Sequence, residues 1–221
     1  MVKPNYQAVL YDLDGTFLDT ALDLGGALNQ LLGEHGQAPL AMEKIRPVAS
    51  HGARGLLALG FDMAPDHANY ESLRQRYLDI YAARISLDTI AFDGINESLT
   101  YLDNHQIPWG IVTNKPAFLT QPLMEKLGYW QQTPCIVSGD TTAKAKPSPL
   151  PLYHACELLN IAPKHCLYVG DAQRDIEAGK NAGMDTVLAC YGYISEDDDI
   201  DGWNATYHIQ HASEVLQFFP R

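Results

Sequence analysis

Apolar positions along this chain switch repeatedly between short continuous runs and a helical repeat. Residues 7–13 form one such run and predict a buried strand. Over 20–35, Leu24, Ala27, Leu28 and Leu31 recur at i, i+3, i+4 and i+7, which predicts an amphipathic helix with Gly36 as its stop. A short helix is expected over 52–59 and a longer one over 65–85, with Tyr70, Leu73, Tyr77 and Ile80 on one face. No convincing strand pattern lies between Phe17 and Ala91, so this stretch reads as an all-helical block. Past Phe92 the alternation returns. Ile95, Leu99 and Leu102 mark a helix, 109–113 a strand, and Leu119, Leu123 and Leu127 a helix ending at Gly128. A strand over 135–138, a helix over 149–159, a strand over 166–170, a helix over 175–182 and a strand over 185–190 follow. Strands alternating with helices imply an α/β fold whose parallel sheet is covered on both faces. Ligands of such sheets sit beyond the carboxyl ends of the strands. The expected organisation is a sheet core from residues 1–17 and 91–221, with 18–90 as a helical insert.

Composition narrows the setting. The 221 residues are 46% hydrophobic and 10% aromatic, enough for a full core and unlike a disordered chain. No apolar run approaches the roughly 20 residues of a membrane span, and the start, Met1 to Asn5, lacks the apolar stretch of a signal peptide. Cys135, Cys156, Cys166 and Cys190 are scattered and form no Cys-x-x-Cys pair, which fits reduced thiols in the cytoplasm. A formal net charge of −12 argues against nucleic-acid and anionic-membrane partners. It would also repel an anionic small molecule unless local cations reverse the field.

What stands after each strand is the informative feature. Asp12 and Asp14 follow the first; residues two apart in extended chain face the same side. Alone, they could be a solvated strand end with an Asp-Gly turn. Thr113, Asn114 and Lys115 follow the second strand, Lys144 and Lys146 the third, and Asp171 and Asp175 the fourth. A parallel sheet brings all four ends to one edge. Hard carboxylate oxygens suit Mg²⁺, a lysine suits a phosphate, and phosphoryl transfer needs both.

These motifs, "DLDGT" at 12–16, "VTNK" at 112–115, "KPSP" at 146–149 and "GDAQRD" at 170–175, resemble the haloacid dehalogenase superfamily of phosphatases. The resemblance covers nearly the whole chain and implies a Rossmann-like core with a mobile helical cap inserted after the first motif. It implies Asp12 as nucleophile forming an aspartyl-phosphate. Asp14 would then be the acid that protonates the leaving oxygen and afterwards the base that activates water. Thr113 and Asn114 would bind the phosphoryl group, and Lys146 would neutralise it and orient Asp12. Mg²⁺ would be held by Asp12, Asp171 and the main-chain carbonyl of Asp14, with Asp175 in support. Lys144 reads as a solvated loop charge.

Within the superfamily the chain resembles phosphoglycolate phosphatase-like enzymes. Through "SHGARGLLAL" (50–59), "VTNKP" and "YGYI" (191–194) it also resembles N-acetylmuramic acid 6-phosphate phosphatases of cell-wall recycling. The implied partner is a small phosphorylated metabolite. Arg54 either reaches a polar or anionic group of that substrate or is a solvated cap residue, and His51 reads as structural. A phosphomutase of the same fold and a non-catalytic binding module are the competing readings. A dehalogenase would need neither the Asp14 acid nor the metal. "DDDIDG" (197–202) imitates the first half of a calcium loop, but His208 stands where the glutamate ligand belongs, so an acidic solvated loop is expected. Oligomeric state leaves no mark in the sequence.

Overall fold

The computed structural model describes residues 6–219; the reading made at Met1 to Asn5 lies outside them. Strand β1 (Ala8–Tyr11) is followed by β2 (Leu18–Asp19), then helices α1 (Ala21–Glu34), α2 (Met42–Ile45), α3 (Gly52–Phe61) and α4 (Tyr70–Ala83). Next come β3 (Ile90–Ala91), α5 (Ile95–Asn104), β4 (Trp109–Val112), α6 (Ala117–Lys126), β5 (Ile136–Val137) and α7 (Leu150–Leu159). The chain closes with β6 (Cys166–Gly170), α8 (Gln173–Ala182), β7 (Asp185–Ala189) and β8 (Tyr207–Ile209).

Six strands form one parallel sheet in the order β5-β4-β1-β6-β7-β8. The first strand therefore lies between β4 and β6, where the winding of the sheet reverses. That reversal opens a crevice at the carboxyl end of β1. Alternate residues feed opposite layers. Val9, Tyr11, Ile111, Leu167 and Val169 join one apolar cluster; Ala8, Leu10, Val112 and Tyr168 join the other, beneath α7 and α8. The first cluster runs without a break into the helical block through Leu24, Leu28, Leu56 and Tyr77. Phe17 sits where the two meet, stacked on Trp109 at 5.6 Å and edge-on to Tyr129 at 5.0 Å.

One expectation needs correcting. The stretch between Phe17 and Ala91 is not free of strand: β2 and β3 pair antiparallel, Leu18 with Ala91 and Asp19 with Ile90. Two residues per strand are too few to show a period, so no pattern marks them. This ladder zips together the two crossings between the sheet and the helical block. Asp23 reinforces it. Its buried Oδ2 accepts the N–H groups of Asp88 and Thr89, at 3.1 and 3.0 Å, and the Thr89 hydroxyl at 2.7 Å. Strand β8 was also unforeseen, since Ile209 is its only buried residue. Helix α4 spans Tyr70–Ala83, starting with its apolar repeat and five residues inside the expected 65–85.

Candidate active site

The loop after β1 is wound tightly. Leu13 O accepts from the N–H groups of Phe17 and Leu18 at 3.0 and 2.8 Å, and Gly15 takes φ +86° to allow the turn. Leu13 itself is buried, which sends Asp12 and Asp14 to the crevice side. Asp12 Oδ1 accepts from Leu13 N–H at 2.7 Å and lies 2.8 Å from Lys146 Nζ. Its Oδ2 faces Arg174 Nη2 at 3.8 Å.

Lys146 is the hinge of the arrangement. Its buried Nζ is 2.8 Å from Asp12 Oδ1, Asp175 Oδ1, Val112 O and the Tyr168 hydroxyl. Asn114 fixes the backbone that carries it: Asn114 Nδ2 donates to Lys146 O and Lys146 N–H donates to Asn114 Oδ1, both at 2.9 Å. The Asn114 amide thus bonds the backbone of the lysine loop. Thr113 is buried at the end of β4, where its hydroxyl accepts from Lys115 N–H at 3.1 Å. Lys144 is exposed, as expected of a solvated loop charge.

Asp171 follows β6. Its Oδ2 accepts from the Ser50 hydroxyl at 2.6 Å and from Tyr193 N–H at 2.9 Å; Thr16 Oγ1 lies 3.4 Å from Oδ1. Asp175, at the start of α8, accepts Ala172 N–H at 3.1 Å and so caps that helix.

Electrostatics divide the carboxylates. Burial, reinforced by the charge of Asp175, pushes Asp12 up to about 7, against the pull of Lys146 and Arg174. Burial and Asp175 likewise push Asp171 up to about 6, opposed by Ser50 and Arg174. Burial also works on Asp175, but there Lys146 and Arg174 win and hold it below the usual carboxylate range. Crowding of this kind attracts a cation. Ligand oxygens of Asp12, Asp171 and Asp175 all lie within 4.8 Å of one another. Two such charges about 4 Å apart repel by roughly 4 kcal/mol at an effective dielectric near 20. An all-carboxylate oxygen set suits a hard divalent ion such as Mg²⁺. Asp12 and Asp171 fit that role best, because Asp175 is taken up by Lys146 and its helix cap.

Three participants carried no assigned role in the sequence reading. Lys115 Nζ lies 2.8 Å from Asp14 Oδ1 and 4.5 Å from the centre of the Tyr81 ring. Arg174 enters the cluster beside Asp12. Ser50 reaches it from the helical block. Lys115 and Arg174 lie inside the quoted motifs, yet nothing in the sequence separates them from solvated charges.

Above these groups is a cavity of about 910 Å³ lined by sheet core and helical block together. Arg54, Arg74 and the half-buried Trp203 line its walls, and His51 stands beside Arg54. Burial and the neighbouring Arg174 charge pull His51 below its ordinary value.

An α/β sheet with buried acids at its reversal point, roofed by a helical insert, defines a hydrolase of the capped Rossmann-like type. The chain belongs to the haloacid dehalogenase-like hydrolase family, whose model matches residues 9–189. It is 37% identical over 221 residues to the N-acetylmuramic acid 6-phosphate phosphatase of Pseudomonas aeruginosa, covering 100% of this chain and 98% of the relative. It is 40% identical over 211 residues to the phosphoglycolate phosphatase of Xanthomonas campestris pv. campestris, covering 96% and 95%. A predicted phosphoglycolate phosphatase of Haemophilus somnus superposes with a TM-score of 0.84, covering 96% of this chain and 97% of its own; at 23% identity that likeness speaks for the fold alone.

Proposed function

We propose that this chain is a cytoplasmic, Mg²⁺-dependent phosphomonoesterase that hydrolyses a small phosphorylated metabolite through an aspartyl-phosphate. The observation that carries the reading is Lys146 Nζ, buried 2.8 Å from both Asp12 and Asp175 at the floor of the cavity. A cation so placed holds one oxygen of Asp12 and leaves Oδ2 free to attack phosphorus. As the Asp12–phosphorus bond forms, the bond to the leaving oxygen breaks, and Asp14 supplies the proton. Asp14 Oδ1 is held by Lys115 at 2.8 Å and the Thr20 hydroxyl at 2.7 Å, while Oδ2 accepts no hydrogen bond from the described residues. That free oxygen is the one suited to carry the proton. In the second step Asp14 takes a proton from water, which displaces Asp12 and releases phosphate. Thr113 and the main chain at Asn114 face the transferring group. Mg²⁺ held by Asp12, Asp171 and the Asp14 carbonyl would supply charge neutralisation for the phosphoryl oxygens.

The cavity favours a substrate larger than 2-phosphoglycolate. A space of about 910 Å³ is the size of pockets that enclose drug-sized ligands. Arg54 and Arg74 on its walls suit a second anionic group, and Trp203 and Tyr77 suit a ring. N-acetylmuramic acid 6-phosphate has both. The test is phosphate release from that compound and from 2-phosphoglycolate, with Mg²⁺ and with a chelator. Mg²⁺-dependent release from the larger ester, at higher kcat/KM, is expected; no release from any phosphomonoester would overturn the assignment.

A further inference from the structure

Ser50, in the motif at 50–59, has no part in the mechanism above. Ser50 belongs to the helical block, in the short 3-10 turn Arg46–His51 that precedes α3. Asp171 belongs to the sheet. Yet the Ser50 hydroxyl donates to Asp171 Oδ2 at 2.6 Å, a charge-assisted bond between the helical block and the sheet. The packing around it is close. A methyl group added at Gly15 would overlap Asp171 Oδ2 and lie 2.9 Å from Ser50 Oγ, and one at Gly192 would overlap Asp171 Cβ. The carboxylate therefore has a defined rotation, set from three sides by Ser50, Tyr193 N–H and Thr16.

The chain links the block to the sheet through the segments at β2 and β3, and Ser50 lies beyond both, so its bond to Asp171 requires the block to be seated. Hydrogen-bond donors behind a ligating carboxylate orient it, and losing one commonly weakens metal binding by about 10–100-fold. A carboxylate offers about four acceptor positions, so two donors on Oδ2 leave room for an ion. We propose that Ser50 is a positioning residue that couples seating of the helical block to divalent-cation binding at Asp171. The inference rests on the cation reading given above. By reciprocity, an ion bound at Asp171 raises the seated fraction by the same factor that seating raises ion affinity.

The experiment is calorimetric titration of Mg²⁺ into the full chain without substrate, for wild type, Ser50→Ala and Arg54→Ala. Arg54 lies in the same block and does not touch Asp171. Ser50→Ala is expected to weaken Mg²⁺ about tenfold or more, while Arg54→Ala stays within about twofold of wild type. Amide exchange over residues 86–92 supplies a second readout: Mg²⁺ should slow it in wild type and much less in Ser50→Ala. Equal Mg²⁺ affinity in wild type and Ser50→Ala, or an equal loss in both variants, overturns the role of Ser50 and leaves the cation site standing. A wild-type chain that takes up no Mg²⁺ overturns the cation site itself.

Discussion

Lys115 holds Asp14 from the side: their Nζ and Oδ1 atoms are 2.8 Å apart, with both side chains largely out of solvent. The same ammonium lies over Tyr81 of the helical block, at 4.5 Å from the ring centre. An acid that must meet a leaving oxygen needs its rotation fixed, and Lys115 does this from the end of β4. Lys115→Met should lower kcat by about 100-fold, the low end of what a positioned acid contributes, because Asp14 itself remains. The loss should be greater for an alkyl phosphate than for p-nitrophenyl phosphate, whose leaving group scarcely needs a proton. Equal losses on the two substrates would show that Lys115 acts on the phosphoryl group instead.

Asp12 combines function with strain on the fold. Its carboxylate is pushed up to about 7 by burial and by Asp175. At pH 8 the ion-free protein therefore holds a charge that its surroundings disfavour. Asp12→Asn should abolish turnover of p-nitrophenyl phosphate and at the same time raise the melting temperature measured in chelator at pH 8. At pH 5 the carboxyl is already protonated in the folded protein, so the gain should nearly vanish. Near-normal turnover would remove Asp12 as nucleophile.

Wild-type stability should follow the same logic. A carboxylate raised in the folded state binds more protons there than when unfolded, so stability falls as pH rises through the window between the two values. For Asp12 and Asp171 that window runs from the ordinary aspartate value of 3.8 up to about 7 and about 6. Asp175, held low, works in the opposite sense, and only in more acid solution. Melting temperatures in chelator should therefore decline from pH 5 to pH 7.5. The increase produced by Mg²⁺ should grow over the same interval, because protons leave the ligands the ion needs. A Mg²⁺ increment independent of pH would argue against these two residues as ligands.

Arg54 is exposed on the cavity wall, in the helical block. If it binds the body of the substrate, Arg54→Ala should raise KM several-fold for the physiological ester and leave KM for p-nitrophenyl phosphate nearly unchanged. A uniform effect on both would return Arg54 to the solvated surface.

The sheet and its order of motifs were legible because period and punctuation are local. A buried strand needs a run of apolar residues, and the groups that follow it project into the crevice whatever the details. Asp12, Lys146 and Asp171 could be placed on that ground, and the structure does gather them. What local pattern could not show was partnership. Asn114 clasps the lysine loop, Lys115 turns to Asp14 and Arg174 to Asp12, and each outcome depends on residues about 30 to 160 positions away. The β2–β3 ladder is the limiting case. Its two strands owe their pairing to chain segments that meet only once the block has folded, and to Asp23, which reads in sequence as an ordinary acidic residue near a helix start.

That role for Asp23 can be tested directly. The side chain is fully buried in the first turn of α1, and one oxygen takes three donors from Asp88 and Thr89. Arg84 Nε lies 3.7 Å from the other. Asp23→Ala would leave two backbone N–H groups and a hydroxyl without a partner where water cannot easily replace it, and would leave Arg84 with Asp88 as its remaining carboxylate neighbour. Removing one member of a buried charged network costs about 3–5 kcal/mol, so Asp23→Ala should lower stability by that order in a denaturant titration. Asp23→Asn keeps an acceptor oxygen for the same N–H groups and should recover part of the loss. Because the damage falls on the ladder between block and sheet, amide exchange should rise first over 86–92 and over β2, ahead of the central strands. A loss under about 1 kcal/mol, or exchange that rises evenly through the sheet, would mean that the block is anchored by its apolar contacts alone.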